Sequence, residues 1–239
     1  MSPIDPLVRP DRFFDRQRWD WLLASSAAVV VVLALVSGVG FMAMGWVLAD
    51  EVTGTTTTVD NPAHVPDWVC EQQGEDGPTQ NACDEPERIE VETGEVLWDA
   101  WADPGNVGAL FFSVLLAWPL TAVALQVVSR LAGGEGSFRR TLAVAGWGMA
   151  PAVLEVVLAV ALWWYQVRTT ALSSDPEALV GQVEGIEPMA GGAVLTIAFG
   201  IWQWYVWTHG LKHGRELSVG AAAGAAGAVA VVSILFGLA

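Results

Sequence analysis

Five long runs of apolar residues limit what this chain can fold into. They cover residues 21–49, 107–131, 141–166, 189–208 and 218–239. A helix that rises ~1.5 Å per residue needs about 20 residues to cross a hydrocarbon core of ~30 Å, and each run is near or above that length. The predicted fold class is therefore all-α, a polytopic bundle of five transmembrane helices.

The other residues form a short arm and one large insertion. Residues 1–20 are the arm, residues 21–239 the membrane domain, and residues 50–106 an insertion between the first and second helices. The β-branched run Thr53–Val59 favours extended backbone, and the alternation over Ile89–Leu97, interrupted by Thr-Gly, predicts a small hairpin. We therefore expect the insertion to be irregular with a little β structure.

Acidic residues are concentrated in the insertion. The formal net charge is −15, and 15 of the 26 acidic residues lie between Asp50 and Asp103, beside a single basic residue, Arg88. Such a surface repels nucleic acid, so no nucleic-acid partner is expected. The chain has one lysine, Lys212, and an acid-rich, lysine-poor surface suits high ionic strength because salt screens its self-repulsion. The composition thus predicts a halophilic protein.

The distribution of arginine and lysine predicts the orientation of the helices. With the N-terminus inside, nine basic residues lie on the cytoplasmic side, and two, Arg88 and Arg168, lie outside. Cytoplasmic loops of membrane proteins carry such an excess. We expect a multi-pass protein of the cell membrane whose N-terminus is cytoplasmic and whose C-terminus and residues 50–106 are extracellular.

Two cysteines, Cys70 and Cys83, lie in the insertion with twelve residues between them. In this orientation they share an oxidising compartment, where a disulfide persists. A cross-link that closes a loop of this size stabilises a fold by on the order of 3 kcal/mol. A structural disulfide is the favoured interpretation, and a redox pair or a metal site that includes His64 is the alternative.

One ionisable residue, Glu155, lies at bilayer depth, near the middle of the third run. Its helical face, at spacings of three, four and seven residues, carries small or compact neighbours, so it is predicted to pack inside the bundle: Gly148, Pro151, Ala152 and Ala159. Counting depth along each run places four polar residues at a similar level, namely Ser37, Thr121, Thr196 and Ser233.

Two interpretations of Glu155 remain open. In the first, it is a proton- or cation-binding carboxylate of a small transporter or channel-like protein. In the second, it is a neutral glutamic acid that hydrogen-bonds a neighbouring helix. The second is favoured because the chain has one intramembrane acid, no basic partner for it and no visible internal repeat.

The segment Gly133-Gly-Glu-Gly-Ser-Phe-Arg-Arg140 separates the second and third runs. Glycines before a helix can cradle a phosphate or a lipid headgroup. The segment lacks the Lys-Ser/Thr ending of a phosphate-binding loop and follows no strand, so a tight turn with interfacial arginines is favoured. Arg130, Arg139 and Arg140 are the predicted contacts to anionic lipid headgroups. The arm, which mixes arginines with Phe13 and Phe14, is expected at the same headgroup boundary.

His209 and His213 are spaced i, i+4, and Glu216 follows three residues later. Three ligands on one helical face could hold a metal ion. Gly210 and Gly214 weaken a helix there, so interfacial side chains are favoured and no metal is assigned. The chain shows no serine or cysteine nucleophile signature and no dinucleotide fingerprint, so neither a catalytic activity nor a cofactor is expected.

The fifth run begins with Gly220-Ala-Ala-Ala-Gly224. Small residues at this spacing let helix backbones approach closely. The segment therefore predicts a close-packing face, which a homo-oligomer or a hetero-oligomer could use.

Several of these features together resemble the Yip1 domain family, particularly its archaeal and bacterial members. They are the segment Gly133–Arg140, the following Val144-Ala-Gly-Trp-Gly-Met-Ala-Pro151, the segment Arg9-Pro-Asp-Arg-Phe-Phe14 before the first span, and the five spans. The resemblance covers roughly residues 7–239 without the acidic insertion. It implies a five-helix membrane domain with a cytoplasmic N-terminus. Eukaryotic relatives act in vesicle transport with small GTPases, but this chain lacks their Asp-Leu-Tyr-Gly-Pro motif, so GTPase binding is not carried over.

The preferred functional hypothesis is a non-enzymatic membrane protein that organises or shapes the bilayer, or scaffolds other proteins. Two alternatives use other parts of the chain. One is a small transporter or channel-like protein that uses Glu155, and the other is binding of an extracellular ligand or partner through residues 50–106.

Overall fold

The computed structural model describes residues 5–52, 54–65, 68–70, 83, 85–170, 178 and 190–238. These residues are mostly helical. In chain order the elements are α1 (Asp5–Val8), α2 (Pro10–Arg16), α3 (Trp19–Glu51), β1 (Thr56–Asp60), β2 (Arg88–Glu92), α4 (Thr93–Ala102), α5 (Pro104–Leu131), α6 (Phe138–Gly148), α7 (Ala150–Thr169), α8 (Ala190–Gly214) and α9 (Val219–Leu238).

Four stretches of the described chain are long and apolar enough to cross a membrane: Trp19–Glu51, Thr93–Leu131, Phe138–Thr169 and Val219–Leu238. α8, with 25 residues, is long enough but is not among them. Gln203 and the aromatic-rich segment 202–207 lower its hydropathy. The chain is thus a helical, multi-pass membrane protein with at least these four candidate spans, and the fifth span stays a prediction.

The third predicted span is made of two helices. α6 ends at Gly148 and α7 begins at Ala150, on either side of Met149. Pro151 lies in the first turn of α7 and has no N–H to donate to the carbonyl of Trp147, so the helical hydrogen bonding is interrupted there. The predicted span over 141–166 falls within the candidate span Phe138–Thr169, but its helix is interrupted at Met149, and Glu155 lies in the second turn of α7.

The insertion contains a two-stranded antiparallel sheet. β1 pairs with β2 in the register Thr56↔Glu92 to Asp60↔Arg88. The extended backbone expected for the threonine run is confirmed over Thr56–Val59. The hairpin predicted within Ile89–Leu97 was wrong, because the chain after Glu92 turns into α4, where a Cβ on Gly94 would meet the carbonyl oxygen of Ala49 at 2.7 Å. The strand partner comes instead from residues more than 25 positions earlier.

The largest core cluster lies at one end of the bundle, which we name the basic end and define by residues 130–140 and 209–218. Here the arm, α1 and α2, packs against α8. Phe13 and Phe14 are only 3% and 2% exposed to solvent, and the ring centroids of Phe13 and Trp147 are 4.9 Å apart. These two phenylalanines are therefore buried within the protein, where they pack on neighbouring aromatic rings. The position of the arm at the headgroup boundary stays a prediction.

Small residues allow the helices to cross closely at the basic end. Gly148 of α6 faces the indole of Trp207, and Gly210 of α8 faces Val144. A side chain at either glycine would overlap its neighbour, so α6 and α8 approach at the distance that glycine permits. α8 also packs on α7 and α9, which places it between these two helices.

Candidate functional site

A polar cavity lies between α7, α8 and α9. It has a volume of about 340 Å³. Glu155 of α7, Thr196 of α8 and Ser233 of α9 all contribute to its wall. These three residues were predicted to share one depth, and the structure brings them to one cavity. Its remaining lining residues are Ala152, Phe199, Gly200, Gln203, Ile234 and Gly237.

The other two residues predicted at that depth lie elsewhere. Ser37 on α3 and Thr121 on α5 are half-buried, and neither is among the residues that line the cavity. Depth counting identifies the level of a side chain in the membrane but not the direction in which its helix presents it. The residues on α3 and α5 are therefore separated from Glu155 by rotation about their helices or by position in the bundle.

Gln203 is a polar lining residue that the sequence analysis missed. It follows Thr196 by seven residues, two helical turns, and both side chains line the same cavity. This i, i+7 relation is the signal that would have found it, because residues at that spacing share one face of a helix.

Glu155 has no polar partner within the described part of the chain, where it makes neither a hydrogen bond nor an ion pair. Its side chain is half-buried. Ser233 donates its hydroxyl proton to the carbonyl oxygen of Val229 at 3.1 Å, which leaves its oxygen lone pairs available to accept. The carboxyl group therefore lies in a space that holds other polar groups but does not contact them.

Glycine sets the inner wall of the cavity. A Cβ on Gly200 would overlap the side chain of Ile234, and one on Gly237 would lie 3.0 Å from Thr196 Cγ2. These two glycines bring α8 and α9 together. α7 contributes the opposite wall with Ala152 and Glu155, and its course is set by the break at Met149.

A second cavity lies on the opposite side of α7, against α3. It has a similar volume, about 320 Å³, but all of its lining side chains are apolar. Val156, Val157 and Val160 of α7 face α3 residues Leu35, Val36, Val39, Gly40 and Ala43. This groove suits hydrocarbon and offers no hydrogen-bonding side chain.

At the basic end, the glycine segment is fixed by a buried arginine. α5 ends in a Schellman-type turn, in which Gly134 N donates to Ser129 O at 2.8 Å and Gly133 has a φ of 83°. Arg215 is only 1% exposed to solvent. Its guanidinium donates to Ser129 Oγ at 3.0 Å, to Gly134 O at 2.6 Å and to Gly136 O. The carbonyl groups of the segment thus bind a cation of the protein itself.

Arg215 was not identified from the sequence as a structural residue. Its partners are backbone carbonyl groups about 80 residues earlier, which leave no pattern in the amino-acid types. Glu135 N also donates to Arg215 O at 2.9 Å. Burial and the neighbouring Arg130 charge lower the pKa of Arg215 from its ordinary value.

The three arginines predicted to contact headgroups differ in their surroundings. Arg140 pairs with Glu216 at 3.2 Å, and its guanidinium lies 5.5 Å from the ring centroid of Trp19. Arg130 and Arg139 are exposed at the basic end. Contact of these side chains with anionic headgroups stays a prediction.

A polar cluster attaches the arm to α8. Asp11 accepts hydrogen bonds from Lys212 Nζ at 2.6 Å and His213 Nε2 at 2.8 Å, and His209 Nδ1 lies 3.4 Å away. Lys212 and His213 hold the pKa of the Asp11 carboxyl well below its usual range. Nearby, Trp202 donates its indole N–H to Leu7 O at 2.9 Å.

The three weak metal candidates do not converge. His209 and His213 face Asp11, whereas Glu216 pairs with Arg140. Among the described residues there is no group of three or more His, Cys, Asp or Glu side chains arranged for a metal ion. The histidines and Glu216 instead form two separate polar contacts at the basic end.

The cysteines of the insertion form a disulfide. Cys70 and Cys83 are bonded, with their Cα atoms 5.9 Å apart. Residues 71–82, which the bond encloses, lie outside the described residues. At the same end of the bundle, Arg168 pairs with Asp50 at 2.7 Å and with Glu51 at 3.5 Å, which joins α7 to α3.

The predicted close-packing face of α9 is uncovered in the single chain. A Cβ on Gly220 or Gly224 would meet no atom within 4 Å. α9 packs instead through Ala222, Ala225, Ala226, Val229 and Ala230, which are buried. The alanines therefore make the intramolecular contact, and the two glycines stay accessible.

Comparison with protein-family models identifies the family of the chain. Neither the curated protein sequences nor the solved structures include a significant match. The model of the Yip1 domain matches residues 4–239, which is essentially the whole chain and includes the arm, the cavity and the basic end. The chain therefore belongs to the Yip1 domain family.

Proposed function

We propose that the chain is a non-enzymatic, five-span membrane protein that organises the bilayer or scaffolds other membrane proteins. In this proposal α8 is the fifth span, the basic end is cytoplasmic, and residues 50–106 and the C-terminus are extracellular. The domain division predicted from the sequence is retained, with residues 1–20 as an arm and residues 50–106 as an insertion into the membrane domain 21–239.

The observation that supports a scaffold is the extent of uncovered apolar helix surface. α5 exposes a row of large side chains, with between 50% and 68% of their area accessible, at Phe112, Leu116, Leu120, Val123 and Val127. α9 leaves Gly220 and Gly224 open, so a partner helix could approach it closely. These faces meet either lipid or another membrane protein.

Site-directed photocrosslinking in native membranes tests the scaffold. A photoreactive amino acid at Leu120 or Gly224 is expected to yield discrete protein adducts. The same group at Thr58 in β1 is the control for contacts outside the membrane. If Leu120 and Gly224 yield only lipid adducts, the scaffolding proposal fails.

A second candidate function is a small transporter or channel-like protein, and the cavity around Glu155 favours it. Carboxyl, amide and hydroxyl groups from three helices in one membrane cavity are typical of a site for a polar solute or cation. Ion and proton flux in liposomes, compared between the native protein and Glu155→Gln, tests it. Equal flux in the two proteins would exclude a role of Glu155 in transport.

The third alternative, binding through residues 50–106, gains no further support. Part of this insertion, including 71–82, lies outside the described residues. Deleting the segment between β1 and β2 and assaying partner capture would test it.

A further inference from the structure

We propose that the cavity between α7, α8 and α9 binds a small organic ammonium ion, with the Glu155 carboxylate as its counter-charge. The inference goes beyond the scaffolding role. It uses the same cavity as the transport candidate and rests on that candidate only for the location, because a site can hold a ligand without moving it across the membrane.

The first step is the charge of the ligand. Glu155 is the one ionisable residue among the nine that line the cavity, and the described residues give it no cationic partner. A carboxylate removed from water without a partner is unfavourable, and a bound cation offsets that cost. An anionic ligand would meet the same carboxylate and be repelled.

The second step is the size of the ligand. A water molecule needs about 10–15 Å³ of such cavity volume, and pockets for small organic molecules begin near 300 Å³. At about 340 Å³, the cavity is far larger than a bare metal ion requires. The volume fits a small organic molecule.

The third step is the chemistry of the wall. The hydroxyl oxygens of Thr196 and Ser233 and the amide oxygen of Gln203 can accept N–H hydrogen bonds, as the carboxylate can. Phe199 adds an aromatic ring, whose face attracts a cation. Ala152 and Ile234 offer apolar contact. Together these groups favour a primary ammonium ion that carries a short aliphatic chain.

The apolar groove on the other side of α7 is an internal contrast. It has nearly the same volume but no polar lining side chain, so it should not bind an ammonium ion more tightly than an uncharged molecule of the same shape. A preference for the charged molecule therefore reports on the polar cavity.

The experiment measures binding of n-butylammonium chloride to the whole protein in nanodiscs at neutral pH and constant ionic strength. The ammonium ion is charged there, because aliphatic amines titrate near pH 10. 1-Butanol is the uncharged molecule of matched shape, and empty nanodiscs give the background from the lipid. The variants are Glu155→Gln, Glu155→Asp and Gln203→Leu, with Thr121→Val as a control at similar predicted depth outside the cavity.

We expect the native protein to bind n-butylammonium at least about tenfold more tightly than 1-butanol, and Glu155→Gln to lose about that factor. Glu155→Asp should retain most of the affinity, Gln203→Leu should weaken it several-fold, and Thr121→Val should stay within about twofold of the native protein. Circular dichroism melts of each variant separate loss of binding from loss of folding.

Two results overturn the inference. One is equal affinity of the native protein and a folded Glu155→Gln variant. The other is competition by sodium chloride at the same concentration, which would assign the site to a metal ion. If the protein binds the amine but shows no flux, the inference stands and only the transport candidate fails. If the protein shows flux but does not bind the amine, the inference fails and the transport candidate stands.

Discussion

α6 and α7 form one span of the sequence but have different surroundings. α6 buries six of its eleven residues, whereas α7 buries only three of its twenty, Pro151, Trp163 and Val167. α6 is thus enclosed by α3, α5 and α8, while α7 borders a polar cavity on one side and an apolar groove on the other. The comparison indicates that α6 holds the bundle together and that α7 leaves room for other molecules.

If this division is correct, substitutions around α6 should affect stability and substitutions in α7 should affect binding. The largest effect is expected at Arg215, which fixes the segment before α6. Arg215→Met removes a buried donor and leaves the carbonyl oxygens of Gly134 and Gly136 without it, at a cost of about 3–5 kcal/mol in the free energy of unfolding. Unfolding in mixed micelles, followed by circular dichroism, measures the change.

Arg139→Met is the matched control for that experiment, because Arg139 is exposed at the start of α6. We expect its free energy of unfolding to stay within about 0.5 kcal/mol of the native value. Equal destabilisation by the two substitutions would mean that net charge at the basic end, and not the buried hydrogen bonds, stabilises the segment.

The next largest effect is expected at the end of α6. Gly148→Leu places a side chain against the indole of Trp207, and overpacking of this kind costs about 1–3 kcal/mol or more. Ala161→Leu in α7 is the partner experiment, since Ala161 is exposed and the added atoms meet lipid. Unfolding midpoints in the same micelles should fall for Gly148→Leu only; a comparable fall for Ala161→Leu would contradict the comparison.

A smaller effect concerns the arm that packs over α8. Lys212 and His213 lower the pKa of Asp11 in the folded protein, so this contact stabilises the arm above the ordinary carboxyl pKa of ~3.9 and is lost as the pH falls below it. The hydrogen-exchange protection factors of residues 5–16, corrected for the intrinsic exchange rate at each pH, should therefore decrease as the pH is lowered below about 4.

Asp11→Asn should weaken the arm at neutral pH by about 1 kcal/mol and reduce this acid dependence. His209, Lys212 and His213 face Asp11, Asp15 faces His213, and all four remain in the variant. An unchanged acid response in Asp11→Asn would assign it to other carboxyl groups.

The smallest effect on stability is expected at Glu155. It contacts no polar group in the described chain, so Glu155→Gln removes no hydrogen bond and should not lower the free energy of unfolding by more than about 0.5 kcal/mol. Chemical denaturation of the ligand-free protein measures this. A loss of several kcal/mol would show that Glu155 is structural and that α7 resembles α6.

The sequence predicted the class of fold because membrane spans depend on the length of apolar runs, which is a local property. It also placed Glu155, Thr196 and Ser233 at a common depth, because depth follows from counting along a helix. Ser37 and Thr121 satisfy the same count but do not line the cavity. The rotation of each helix about its axis and the order of the helices in the bundle depend on packing between distant residues, which local patterns in a single sequence do not reveal.

Contacts between distant parts of the chain account for the features that the sequence analysis did not predict. β2 pairs with β1 and not with the residues after it, Phe13 packs on Trp147, and Arg215 binds carbonyl groups of the glycine segment. In each case the local pattern was ambiguous, and a partner far along the chain decided the outcome. Local propensity is a weak guide at such positions.

The attachment of the arm has a consequence for the order of assembly during synthesis. Asp11 binds His213, which is added to the chain 202 residues later, and Leu7 binds Trp202, 195 residues later. Residues 5–16 therefore reach their final position only after α8 has been made. Until then Phe13 and Phe14 lack the α8 wall of their packing site, so the arm can dock only on an element that is synthesised about 200 residues after it.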